Sequence, residues 1–151
     1  MVLTLRLGRY QMAIHAVGVL PIVLCAASMV CAGQAEAGLL IDRGTAHATI
    51  VVPAKPDPVA SYAADDLQDV LHRITGVAMP IARDAREIAG NRILIGQTRF
   101  TDAAVTAQER RRVGSEGYVV RLKGRDLALA GGGPYGTFYA LVELYDRLGA
   151  R

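Results

Sequence analysis

The sequence has few cysteine and aromatic residues. Its 151 residues contain two cysteines, no tryptophan and only 5% aromatic side chains. Both cysteines, Cys25 and Cys31, lie near the amino terminus, so the rest of the chain has no thiol. For that part, the absence excludes a disulfide-stapled scaffold, a cysteine-ligated metal site and a cysteine nucleophile.

The sequence also lacks a large charge excess. Lys and Arg number 17 against 14 Asp and Glu, a net charge of +3. The basic run 110–112 (Arg-Arg-Arg) has no aromatic neighbours and is typical of a solvated surface. A balance this even predicts no nucleic-acid partner and no attraction to a membrane surface.

The first 37 residues have the pattern of a secretory signal peptide. Arg6 and Arg9 precede the uncharged stretch 12–30, which leads to the small-residue sequence Ala-Glu-Ala at 35–37. His15 and Pro21 within that stretch argue against a retained membrane anchor. We therefore expect cleavage before residue 38, and an exported protein, periplasmic or extracellular, with no membrane attachment afterwards.

After this leader the sequence predicts a flexible leading segment, 38–47, and one domain, 48–151. Ala48–Val52 (ATIVV) is a β-branched run typical of a buried strand. Asp57 suits an N-cap, Pro58 suits the first helical position and Gly76 suits a left-handed C-cap. These signals predict a helix over Pro58–Thr75.

The helical periodicity divides this helix into two faces. At 100° per residue the core stripe comprises Ala63, Leu67, Val70, Leu71 and Ile74. The opposite face comprises Asp65, Asp69 and His72.

The remaining chain predicts further strands and a last helix. Short strands are expected at 77–81, as an edge because of Pro80, and at 92–95, followed by a short helix within 101–113. A hairpin is expected from 118–122 and 127–130. The last helix, 135–148, has this predicted core face: Thr137, Phe138, Leu141, Val142, Leu144, Tyr145 and Leu148. The expected fold is α+β, a two-layer sandwich in which two main helices pack on one face of a mixed β-sheet.

A glycine motif, Gly131-x-Gly133-x-x-Gly136, follows a predicted strand and opens the last helix. That context is shared with dinucleotide-binding turns. The fingerprint also requires a second parallel strand and an acidic residue about 20 positions further on. The chain ends too soon for either, so a tight strand-to-helix turn is favoured and no cofactor is expected.

Other polar groups do not assemble into a catalytic centre. Asp65, Asp69 and His72 have chelating spacing but face away from the core, which favours a solvated surface over a metal site. The candidate carboxylate pairs are Asp65 with Asp66 and Glu143 with Asp146. Neither pair is accompanied by the signature of an apolar pocket, which would raise the pKa of one carboxyl group above that of the other.

Five further side chains carry weak signals. Ser61 and Ser115 lack a G-x-S-x-G context, and His47 stands alone. For Tyr135 and Tyr139, a role in packing at a domain border is favoured over stacking on a sugar ring. We therefore expect no catalytic, cofactor-binding or metal-binding residue in this chain.

Several pieces of the sequence, in order, resemble one family. They are the helix end Ile-Thr-Gly at 74–76, the strand end Ile-Gly at 95–96, Gly-Thr-x-Tyr at 136–139 and Leu-Gly-x-Arg at 148–151. This series resembles the N-terminal domain of bacterial alpha-glucuronidases (glycoside hydrolase family 67) and of related large secreted glycosidases with a hexosaminidase-like N-terminal domain. The family often has Arg before Gly-Thr, where this chain has Tyr135.

The resemblance implies a sheet covered by two helices, placed ahead of a (β/α)8 barrel that holds the catalytic carboxylates. We expect the chain to be an inactive fragment of an exported glycosidase. Its partner would be the missing C-terminal catalytic barrel, with a carbohydrate substrate possible at the domain border. The alternative is a stand-alone exported carbohydrate-binding or interaction module.

Overall fold

The computed structural model describes residues 40–150; the predicted signal peptide, 1–37, lies outside them. The described strands and helices follow in chain order: β1 Ile41–Asp42, β2 Thr45–Ala46, β3 Ala48–Val52, α1 Pro58–Thr75, β4 Ile81–Arg83, β5 Asn91–Ile95, α2 Thr101–Ala104, α3 Ala107–Arg112, β6 Tyr118–Lys123, β7 Asp126–Gly131 and α4 Pro134–Leu148. Within this part of the chain, no helix combines the length and apolarity needed to cross a membrane.

Five strands form a mixed sheet in the order β4-β3-β5-β7-β6. The first four strands in this order pair in parallel, and β6 pairs antiparallel with β7 through a tight hairpin. Gly124 adopts a positive φ of 59° in the hairpin turn. Because α1 and α4 each follow a parallel strand and pack back on the sheet, both helices begin at its carboxyl edge.

The ends of α1 are those that the sequence predicts. Asp57 Oδ1 accepts a hydrogen bond of 2.9 Å from the backbone N–H of Ala60, and Gly76 closes the helix with a φ of 73°. Asp57 thereby satisfies one of the amide groups that a helix start leaves without an internal partner.

The core lies mainly between the sheet and the two long helices. Ile50, Ile93 and Leu129 project from the three central strands toward Leu67 of α1 and Leu141 of α4, and all five are fully buried. The α+β fold with two main helices on one face of a mixed sheet is therefore confirmed.

The opposite face of the sheet is also partly covered. Val51, Leu94 and Ala128 pack there against Ala104 and Val105 in and beside α2. The central strands are thus buried on both sides, which explains their continuous apolar runs. This cover adds to the two predicted layers.

Ion pairing reinforces the covered face near α2. Arg92 donates from Nε and Nη2 to the two carboxylate oxygens of Asp126, at 2.6 and 2.9 Å. The guanidinium group also lies over the ring of Phe100, 4.1 Å from its centroid. This bidentate pair joins β5 to β7 at the start of both strands.

Some predicted boundaries and faces are wrong. The edge strand begins at Ile81 rather than at 77, because Pro80 has no N–H to donate to the neighbouring strand. The carbonyl of Pro80 still accepts a hydrogen bond from the N–H of Ile50. Ile74 and Leu148, predicted as core, are 54% and 46% exposed because they lie in the last helical turns. Val142 is also exposed.

The described part of the leading segment contains more structure than the sequence predicts. Its residues form a short hairpin, β1 with β2, and His47 donates a backbone hydrogen bond to the carbonyl of Leu40. Leu40 and Ile41 pack against the main core. The turn uses Gly44 at a φ of 76°.

The helix expected within 101–113 is two short helices, α2 and α3. A capping box opens α3: Thr106 Oγ1 accepts from the N–H of Glu109, whose carboxylate accepts from the N–H of Thr106. The same carboxylate accepts from Arg121 Nη1 on β6 at 2.8 Å. The Thr106 backbone bond, followed by the Arg121 bond, lowers the pKa of Glu109 from 4.5 to about 2.

Replacement of Glu109 by Gln is expected to flatten the acid side of the stability profile. The folded pKa lies below the ordinary value, so this carboxylate stabilises the fold above pH 4.5 and the effect is lost as the pH falls toward 2. Urea unfolding at several pH values from 7 to 2 measures this slope. Glu116→Gln is the control, and equal slopes in the two variants would contradict the assignment.

Candidate functional site

The glycine motif forms the turn between β7 and α4. An added Cβ on Gly131 would lie 2.2 Å from the backbone N of Thr137, and one on Gly132 would lie 2.0 Å from the carbonyl oxygen of Gly114. A Cβ on Gly136 would lie 2.3 Å from the oxygen of Gly117. These glycines therefore allow two backbone segments to touch, which is a structural role for the motif.

A shallow cleft lies beside this turn at the carboxyl edge of the sheet. Its volume is about 320 Å³ and its walls include Lys55, Asp57, Gln97 and Thr137. Such edges bind ligands in many α/β proteins. In this cleft, however, Asp57 accepts a hydrogen bond from the N–H of Ala60, and the Thr137 hydroxyl oxygen accepts one from the N–H of Gly131 in the turn.

The side chains that the sequence singles out do not converge. Asp65, Asp69 and His72 are all exposed on α1. In the part of the chain that the structure describes, no three His, Cys, Asp or Glu side chains are grouped to hold a metal ion. Ser61 is half-buried, and His47 and Ser115 are exposed.

The two candidate carboxylate pairs are separated by their bonding. Asp66 accepts a hydrogen bond from the hydroxyl of Tyr145, while its neighbour Asp65 faces solvent. Glu143 accepts from Arg147 Nε at 2.8 Å, which lowers the pKa of Glu143. Neither pair lines a common cleft with its partner, so neither has the geometry for acid–base work on one bond.

The basic run 110–112 is only partly solvated. Arg110 is 7% exposed, and its Nη1 donates to the carbonyl of Val105 at 2.6 Å and to Asp102 at 2.7 Å. The prediction of a solvated surface is therefore wrong for this residue, because its guanidinium group holds the loop between α2 and α3. Arg111 and Arg112 are exposed.

The outer surface of the two long helices carries a group of exposed large side chains, here called the aromatic face. Its members are between 40% and 66% exposed: Tyr62, Tyr135, Tyr139 and Val142. The three members on α4 follow helical spacing, and Tyr62 on α1 contacts Phe138 with ring centroids 6.0 Å apart. Clustered exposed apolar groups of this kind mark interaction sites.

A groove lies between the later turns of the same two helices, here called the α1–α4 groove. Its volume is about 410 Å³, and its lining residues are Asp66, Val70, Arg73, Ile74, Tyr145 and Ala150. At its base the Tyr145 hydroxyl donates to Asp66 Oδ2 at 2.7 Å. Burial and this bond raise the pKa of Tyr145, so the hydroxyl keeps its proton.

Sequence reasoning missed this groove because its walls come from distant parts of the chain. Asp66 and Tyr145 are 79 residues apart, and periodicity assigned Tyr145 and Ile74 to the core. Ile74 is instead exposed, whereas Tyr145 packs against the core as predicted and also lines the groove.

One comparison with known families gives a match. The family model described as glycosyl hydrolase family 20, domain 2, matches residues 36–150. The match covers all of the described fold and agrees with a glycosidase N-terminal domain, without pointing to the alpha-glucuronidases specifically. No curated protein matches the chain.

Proposed function

Because this chain belongs to the glycosyl hydrolase family 20, domain 2, family, we propose that it is a non-catalytic accessory domain of an exported glycoside hydrolase. The family description names a second domain of an enzyme, and this points to a catalytic domain elsewhere in the parent protein. Most glycosidases use two carboxylates that flank the glycosidic bond, whereas in family 20 the substrate itself assists the reaction. In residues 40–150 the two candidate pairs, one with Asp66 and one with Glu143, are diverted into structural bonds.

The observation that carries the proposal is the aromatic face. Tyr135 and Tyr62 are 66% and 58% exposed on adjacent helices. Tyrosine side chains are enriched in protein interfaces. A domain that docks on a larger catalytic domain needs such a surface, and the helices α1 and α4 supply it. The sheet, by contrast, is covered on its other face by α2 and its flanking residues.

We expect the purified protein to bind a hydrophobic dye at the aromatic face and to hydrolyse no glycoside. Dye fluorescence should fall when Tyr135 and Tyr139 are both replaced by Ser, because these side chains provide the exposed apolar area. Leu122→Ser on β6 is the matched control, since Leu122 is 55% exposed outside this face. Fluorescence and the release of nitrophenol from aryl glycosides are the measurements.

Two outcomes would contradict this proposal. One is turnover of an aryl glucuronide or an aryl N-acetylhexosaminide by the purified protein. The other is a loss of dye binding in the Leu122→Ser control that equals the loss in the double tyrosine variant.

Export and the sugar specificity are finer parts of the proposal. Export is supported by the charged, apolar and small-residue order in 1–37. An alpha-glucuronidase parent is supported by the motif series that ends in Leu-Gly-Ala-Arg at 148–151, and a hexosaminidase-type parent by the family description. Activity of the parent enzyme on aryl glucuronides and on aryl N-acetylhexosaminides would separate the two.

The proposal also predicts that the reading frame continues beyond codon 151 into a catalytic domain. Sequencing the genomic DNA downstream of that codon tests this directly. A continuing frame with alternating strands and helices supports a fragment of a glycosidase. A stop codon at that position would contradict it and favour the stand-alone module.

A further inference from the structure

The α1–α4 groove combines three different polar groups with an apolar wall. Asp66, Arg73 and Tyr145 provide a carboxylate, a guanidinium group and a phenol, while Val70 and Ile74 provide aliphatic surface. Its volume of about 410 Å³ falls within the range of small-molecule sites. Small-molecule sites combine these two features, with apolar walls for contact and a few polar groups for orientation.

The carboxylate at the base is positioned by a neighbouring helix. Tyr145 donates its hydroxyl hydrogen to Asp66 Oδ2 at 2.7 Å, and Oδ1 remains able to accept from a second donor. This bond joins α1 to α4, so the acceptor oxygen is held in place rather than free to rotate. A ligand hydroxyl is the kind of donor that this oxygen suits.

The guanidinium group is the second recognition element. Within residues 40–150, Arg73 makes no hydrogen bond or ion pair, although its charge lies close enough to affect the pKa of Tyr145. A guanidinium group binds planar or tetrahedral anions through two parallel hydrogen bonds. It therefore suits a carboxylate or a sulfate group on a ligand.

We propose that the α1–α4 groove binds a saccharide that carries an acidic group, a uronate carboxylate or a sulfate ester. The acidic group meets Arg73, a hydroxyl meets Asp66, and the apolar C–H face of the sugar ring packs on Val70 and Ile74. The inference rests on the proposed function, since an accessory domain of a glycosidase meets saccharides. It places a glycan-holding site beside the aromatic face.

Titration of the isotope-labelled protein with single sugars, followed by amide chemical shifts, tests the proposal. The probes are glucuronate, glucose 6-sulfate and glucose. We expect both acidic sugars to shift the amides of residues 66, 70, 73, 74 and 145, and glucose to bind about tenfold more weakly. Equal shifts from the two acidic sugars indicate charge recognition, and a difference between them identifies the preferred group.

Variants connect the binding to the groove. Arg73→Gln should weaken glucuronate binding by about tenfold, and Tyr145→Phe should weaken it less, because it only loosens the position of Asp66. Arg111→Gln, an exposed arginine on α3, is the control for net charge. Circular dichroism confirms that each variant is folded.

Three results would overturn the inference: no shifts at millimolar acidic sugar, shifts located outside the groove, or unchanged affinity in Arg73→Gln. None of these results affects the dye-binding and hydrolysis tests of the proposed function, so the two failures are distinguishable.

Discussion

Replacing Gly136 by Ala is expected to lower the free energy of unfolding by about 3 kcal/mol, and the thermal midpoint by roughly 10 °C. An added Cβ would lie 2.3 Å from the carbonyl oxygen of Gly117 and 3.1 Å from the Cα of Gly131. Both neighbours are backbone atoms, so neither can rotate away as a side chain would. Helix propensity alone would make the Ala variant more stable by about 1 kcal/mol. A decrease in the free energy of unfolding would therefore show that the added Cβ clashes with the backbone.

Gly114→Ala is the matched control for this prediction. Gly114 lies in the loop that packs on the same turn, but a Cβ there meets nothing within 4 Å. Gly114→Ala should lower the free energy of unfolding by about 1 kcal/mol, because the positive φ of 74° is the only unfavourable feature of the substitution. Thermal and urea unfolding of both variants measure the difference, and a smaller loss in Gly136→Ala than in Gly114→Ala would refute the close-contact role of the motif.

Replacing Asp126 by Ala is expected to lower the free energy of unfolding by about 2–4 kcal/mol. The side chains of Asp126 and Arg92 are 11% and 17% exposed, so the change leaves a largely buried guanidinium group without its bidentate acceptor. Arg92 Nη1 keeps the carbonyl of Ile88 at 3.4 Å and the exposed carboxylate of Glu87 at 4.0 Å, but both contacts are longer than the two lost hydrogen bonds. The expected loss of stability is large because the ion pair is largely buried.

The exposed pair of Glu143 and Arg147 provides the comparison. It is an i, i+4 pair on α4 whose Arg147 side chain is 62% exposed, so Arg147→Ala should cost about 0.5 kcal/mol or less. Urea unfolding at neutral pH measures both changes. A double-mutant cycle with Arg92→Leu then isolates the coupling, and the assignment fails if Asp126→Ala costs no more than Arg147→Ala.

The sequence predicted those parts of the fold whose signals are local. The cap residues of α1, Asp57 and Gly76, act on their own turns, so both helix ends were correct. Burial of whole strands on two faces leaves apolar runs such as Ala48–Val52 that are visible without a structure.

What the sequence did not predict depends on contacts between distant segments. Arg110 is buried because a carbonyl in the preceding loop accepts from it, and no periodicity signals that bond. Ile74 borders a groove because α4 approaches α1 there. The family resemblance correctly predicted a glycosidase domain, but the alpha-glucuronidase assignment was finer than weak motifs could support.

The strand order also has a consequence for how the chain folds. Within the five-stranded sheet, β6 and β7 alone pair through a short turn, and such hairpins form within about 1–10 μs. In the parallel pair β3–β5 the two strands are separated by α1 and β4, and in the pair β5–β7 by α2, α3 and β6. Closing these long loops costs chain entropy before the strands can pair. We therefore expect the docking of β5 between β3 and the β6–β7 hairpin to set the folding rate, which would assemble the core and the carboxyl edge of the sheet in one step.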